Sequence, residues 1–134
     1  MKRLIFVCMM LVFAFALVAC GYGGTATTSS WSNSGLSQDS QLDSWSITAD
    51  RVNGHSLRRL DLTAYQLANI FVASNHTSGA VNVVLIQGDN EQSFSIANDF
   101  SGILDTSNFE PGNIRMRLNF ANAQDVDIYV SWAR

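Results

Sequence analysis

Two stretches near the C-terminus carry the most regular pattern in the chain. Ile114, Met116, Leu118 and Phe120 alternate with Asn113, Arg115, Arg117 and Asn119. Val126, Ile128, Val130 and Trp132 then alternate with Asp125, Asp127, Tyr129 and Ser131. Period two marks a strand with one buried face. Both stretches are therefore expected to be strands, joined into an antiparallel hairpin by a loop over 121–125. The register that keeps every apolar residue inward with the shortest loop sets Phe120 opposite Val126. It places Arg117 against Tyr129 and Asn119 against Asp127 on the outer face, with Arg117 diagonal to Asp127.

The same alternation runs back through the chain. Trp45 and Ile47 sit among Ser44, Ser46 and Thr48 in a first strand, which Asn53-Gly54 is expected to close with a turn. Leu57 to Leu62 predicts a second strand. Thr63 and Gln66 have capping-box spacing, and Leu62 and Leu67 stand where a hydrophobic staple would close, so a short helical turn is expected there. Asn69 is expected to end it in the left-handed conformation. Ile70 to Ala73 resumes strand. Val81 to Gln87 is apolar on both faces, which predicts a central strand whose outer face is covered, with the 63–69 turn as the candidate cover. Gly88-Asp89-Asn90 turns the chain toward Phe94 and Ile96. A short strand is expected near Ile103, and Glu110-Pro111-Gly112-Asn113 fits a type II turn. Seven or eight short strands with regular turns predict an all-β domain, a small antiparallel β-sandwich or jelly roll over 43–134.

The N-terminal pattern is different. Lys2 and Arg3 precede an uncharged apolar run from Leu4 to Cys20 that ends Leu17-Val18-Ala19-Cys20, followed by Gly21. A basic start, an apolar middle and a small-residue end mark an export signal. The tetrapeptide resembles the lipobox of bacterial lipoproteins. The resemblance implies cleavage before Cys20, lipidation of that cysteine by a diacylglyceryl thioether, and a lipid anchor in the cell membrane or outer membrane, outside the cytoplasm. Residues 1–19 would then be signal peptide. Two or more acyl chains on Cys20 would hold the chain durably, where one would not. Residues 20–42 are expected to be a tether, because thirteen of the twenty residues from Gly21 to Ser40 are Gly, Ser or Thr. Such a segment reaches roughly 25 Å as a flexible coil.

Charge and cysteine content narrow the function. Without its signal the chain keeps six arginines against eleven carboxylates, a formal charge of −5. Nucleic acid calls for a basic footprint, so it is not an expected partner. Cys8 and Cys20 are the only cysteines. The domain after Cys20 holds no thiol, which excludes a disulfide, a thiolate metal site and a cysteine nucleophile within it.

Candidate chemistry is sparse. His55 and His76 are the only side-chain bases of their kind and are expected as solvated turn and loop residues. There is no G-x-S-x-G turn for a serine hydrolase. Gln87–Glu91 and Asp99 to Asp105 offer oxygen atoms to calcium but match no EF-hand, so no metal and no cofactor is expected. Asn75-His76-Thr77 has the N-glycosylation pattern, without meaning beside a bacterial lipobox. Arg58 and Arg59 must point to opposite faces of their strand, with an ion pair to Asp61 or another acid as the ordinary outcome. Arg115, Arg117, Tyr129 and Asp127 remain as a candidate ligand-binding face. The chain is thus expected to be a non-catalytic envelope module that binds glycan or protein. The alternative is a structural or assembly subunit, or an inhibitor of an envelope-attacking enzyme.

Overall fold

The computed structural model describes residues 27–132, with side chains from residue 35 onward. The export segment, Cys20, the start of the tether and the Trp31 side chain lie outside the described residues. Among the described residues eight strands form one antiparallel sheet: β1 (Thr27–Ser34), β2 (Ser37–Ser40), β3 (Ser44–Leu62), β4 (Ile70–Asn75), β5 (Ser78–Gln87), β6 (Asn90–Ile96), β7 (Phe100–Ile103) and β8 (Gly112–Trp132). The helix α1 (Ala64–Ala68) lies between β3 and β4. The sheet does not close into a barrel.

The architecture follows from two long strands, β3 and β8, paired from Ser44↔Ser131 to Leu62↔Gly112. The expected 121–125 hairpin is therefore absent. Phe120 pairs with Gly54 and Val126 with Ala49, all within one continuous ribbon. Nor does Asn53-Gly54 make a turn. Both polar interruptions are bends in strands that run on, and they face each other across the ribbon. Inward residues there change phase together: Trp45, Ile47 and Ala49 give way to Val52 on β3, and Ile128 and Val126 give way to Ala123 and then Phe120 on β8. The register slips by one residue between Val52 and Gly54, a β-bulge. Asn122 and Asp125 take positive φ of 48° and 50°, a conformation that Asn and Asp tolerate better than most residues. The Asn53 carboxamide oxygen accepts the Asn122 N–H at 3.3 Å.

The bend divides the sheet into two layers. The first half of β8 and the second half of β3 join β5 and β6; the other halves join β4, β7 and β2. The inward faces meet in one core that takes Val83, Leu85, Met116 and Leu118 from the first layer and Trp45, Ile47, Val72 and Val130 from the second. Strands that carry one core around a corner through bulges are a known route to sandwich packing. The Gly/Ser/Thr-rich stretch expected to be coil supplies β1 and β2 on the flank of β3.

Local signals elsewhere behave as their chemistry dictates. Both capping-box bonds of α1 are present, Gln66 N–H to the Thr63 hydroxyl at 3.2 Å and Thr63 N–H to Gln66 Oε1 at 3.0 Å. Asn69 does not adopt the left-handed conformation; at φ −124° it closes the helix by donating its amide to the Tyr65 carbonyl at 2.7 Å. Gly88 (φ 58°) turns β5 into β6, and Gly112 takes a positive φ after Pro111.

Candidate functional site

The outward face of the first layer is built by cross-strand register. Arg59 on β3 stands directly opposite Arg115 on β8, which stands opposite Ile86 on β5, which stands opposite Glu91 on β6. The neighbouring row runs Leu57, Arg117, Val84, Ser93. Val84 and Ile86 are buried, 1% and 6% exposed, yet lie outside the main core. Their immediate neighbours on this face are the arginines. Arginine stems cover apolar surface while the guanidinium stays in water, and this explains how a strand can be apolar on both sides. The α1 helix does not serve as the cover: it packs on β3 and β8, and its Leu67 joins the main core.

The charges on this face are unequally matched. Arg117 forms an ion pair with Glu91 at 3.1 Å. Its Nε is buried without a partner. Arg59 and Arg115 form no ion pair among the described residues, although Asp61 follows Arg59 by two positions on the same face. Like charges directly opposite on a sheet repel. The pair lines a groove of about 370 Å³ whose floor includes Ile86 and whose rim includes Gly88 and Asn113. Gln87 fixes that rim: its amide nitrogen donates to the Glu110 carbonyl at 2.8 Å, and its oxygen accepts the Glu110 N–H at 3.0 Å.

Of the residues singled out in the sequence, Arg115 and Arg117 share this face. Tyr129 and Asp127 do not. They project from the other layer, where Tyr129 lies opposite Ser46 and Ala73 and Asp127 opposite Thr48 and Asn75. Arg117 meets neither of them, because Arg117 and Tyr129 lie at opposite ends of one strand rather than on paired strands. Arg59 is the residue that the assumed hairpin hid.

Set against protein-family models and curated proteins, the chain matches none. The geometry alone must therefore decide what each remaining candidate does.

Arg58 points coreward and binds carbonyls rather than an acid. Its guanidinium donates to the carbonyls of Ser44, at 2.8 Å, and Gln41. It also lies 4.9 Å from the centroid of the Trp132 ring, a cation–π distance. Burial lowers its pKa from the ordinary arginine value. The Trp132 indole donates to the Leu42 carbonyl at 3.0 Å. Together these bonds clamp the 41–44 turn onto the end of the core.

His76 is not a solvated loop residue. It is 8% exposed, its backbone N–H donates to Asn98 Oδ1 at 2.9 Å, and its Nδ1 is buried without a partner. The hydroxyl of Ser74, two positions earlier, is in the same state. Neither residue lines the Arg59/Arg115 groove or a second groove of about 410 Å³ between α1 and residues 104–111. His55 lies on β3 opposite Asn119 rather than in a turn. In the acidic 99–105 segment, Asp105 is held by Ser107, whose hydroxyl and N–H (the latter at 3.1 Å) lower its pKa. Among the described residues no three His, Cys, Asp or Glu side chains gather as a metal set.

Proposed function

We propose that the chain is a lipid-anchored, non-catalytic binding module of the cell envelope that holds its ligand on the arginine-bearing face of the first layer. The observation that carries this reading is the directly opposed Arg59 and Arg115, which share a groove and have no ion-pair partner among the described residues. Two arginines leaving the same face beside a groove offer charge-assisted donors to a polar ligand. The N-terminal resemblance supports a position outside the cytoplasm on a lipid at Cys20. A glycan array probed with the wild-type chain and the Arg59→Gln/Arg115→Gln double variant tests the ligand side. The wild type is expected to bind a subset of glycans and the variant to lose them. Anchoring is tested by Cys20→Ala, which should abolish lipid attachment; a wild-type chain starting at Cys20 without lipid by mass spectrometry would contradict it.

A second reading has its own observation. On the outward face of the second layer, Ile103 (58% exposed) lies directly opposite Phe71, and Tyr129 (42% exposed) lies opposite Ala73 two residues along. Exposed apolar groups set together favour a protein contact, as in an assembly subunit. Co-purification of one stoichiometric partner from membranes, abolished by Ile103→Asp and unaffected by the arginine changes, would favour it.

A further inference from the structure

We infer that the Arg59/Arg115 groove is a site for one oxyanion carried on a larger polar molecule, and that this molecule is an acidic sugar unit bearing a carboxylate or phosphate. The inference rests on the binding-module reading and names the chemistry of its ligand.

Three features converge on an anion. The two arginines are nearest cross-strand neighbours, so their Cβ atoms stand about 5 Å apart and both side chains leave the same face. Each guanidinium is a fixed fork that matches the two oxygens of a carboxylate or two of a phosphate. The carboxylates around them are engaged or set apart. Glu91 is taken by Arg117, and none of Asp61, Asp89 and Glu110 lines the groove. An anion between the forks converts like-charge repulsion into two charge-assisted contacts.

Two further features set the size and character of the carrier. At about 370 Å³ the groove exceeds what a lone inorganic anion fills and lies near the lower end of the range for small-molecule sites. Its lining includes the exposed Asn113 beside the buried Ile86. A sugar with hydroxyl edges and one acidic substituent fits that set. Gln87 is not counted among the donors, since the Glu110 turn occupies its amide.

The test is titration of the full chain in mild detergent, followed by NMR of the arginine side chains and by calorimetry. The probes are oligogalacturonate, its methyl ester, glucose 6-phosphate, glucose and inorganic phosphate. Binding of the charged sugars is expected to shift the Arg59 and Arg115 signals and to weaken with added salt. It should fall about tenfold or more in Arg59→Gln and in Arg115→Lys, which keeps the charge but loses the fork. Arg51→Gln, outside the groove, should bind as the wild type does. The carboxylate and phosphate arms identify the acid group, and binding of inorganic phosphate as tightly as the sugar phosphate would overturn the sugar assignment. Equal binding of oligogalacturonate and its methyl ester, or charged-sugar binding unchanged by the arginine substitutions, would overturn the inference while leaving a binding module in place. No response from any probe overturns the inference, and if the glycan array is also blank the binding-module reading falls with it.

Discussion

Arg58 and Arg59 are adjacent in the sequence and have opposite tasks, because strand geometry sends neighbours to opposite faces. Arg58 is buried, its two terminal nitrogens donate to the Ser44 and Gln41 carbonyls and its guanidinium lies over the Trp132 ring, while its Nε has no partner, so its removal leaves acceptors unpaired. Arg58→Ala is expected to cost about 2–4 kcal/mol in urea unfolding. Arg58→Met keeps the stem and should cost less. Arg115 is the contrast: it is exposed, opposite a like charge and without an ion pair, so Arg115→Gln should leave stability within about 0.5 kcal/mol of the wild type while altering the groove. A large destabilisation by Arg115→Gln would show that the residue is structural. The opposite directions of Arg58 and Arg59 were legible in the sequence from parity alone. The carbonyl partners of Arg58 were not, because they lie 14 and 17 residues away on a turn that no local pattern places.

At the scale of elements, the instructive case is the 121–125 segment. Ala-Asn-Ala-Gln-Asp between two apolar alternations is compatible with a hairpin loop and equally with a bulged corner, since both need polar residues that accept positive φ. Sequence periodicity registers the phase change and not its cause. What separates the two is whether another strand runs alongside, and β3 does, with its own interruption at residues 50–54 facing that of β8. The alternations themselves, the inward residues and the capping box of α1 were all legible, because each depends on neighbours within a few positions. The shared Arg115/Arg117 face was legible for the same reason, whereas adding Tyr129 required the wrong topology. Engineered cysteines decide between the topologies, since the domain has no thiol of its own after Cys20. Thr48 and Asp127 are direct partners, at a separation that a disulfide can bridge. Thr48→Cys with Asp127→Cys should therefore crosslink under mild oxidation, whereas Asn119→Cys with Asp127→Cys, partners in the hairpin, should not. A second expectation concerns Gly79, at φ +79°, where an added Cβ would sit 2.4 Å from the Asn122 carbonyl oxygen. Gly79→Ala should destabilise by about 2 kcal/mol or more. A smaller loss would mean that β5 does not meet the β8 bulge so closely.

For the whole molecule the question is where the cooperative unit begins. A Gly/Ser/Thr-rich segment has little apolar surface to bury, which is why composition predicts coil. Backbone hydrogen bonding needs no apolar side chain, however, and β3 offers an unpaired edge along its length. The chain before it supplies β1 and β2 to that edge. It also supplies the Gln41 and Leu42 carbonyls that receive Arg58 and Trp132. A chain starting at residue 44 would lose all of these at once: the edge strands, one acceptor of a buried guanidinium and the acceptor of a buried indole. Each unmet buried donor costs about 1–3 kcal/mol, so residues 44–134 should unfold at a lower urea midpoint than residues 27–134, by about 3 kcal/mol or more. The exposed β3 edge should also make the shorter chain associate as its concentration rises, since an unpaired edge templates pairing with another chain. Equilibrium urea unfolding with sedimentation velocity on both chains measures the two effects, and neither should respond to reductant. Matching midpoints and a strictly monomeric shorter chain would mean that residues 27–43 are a tether after all, and that the folded unit starts at β3.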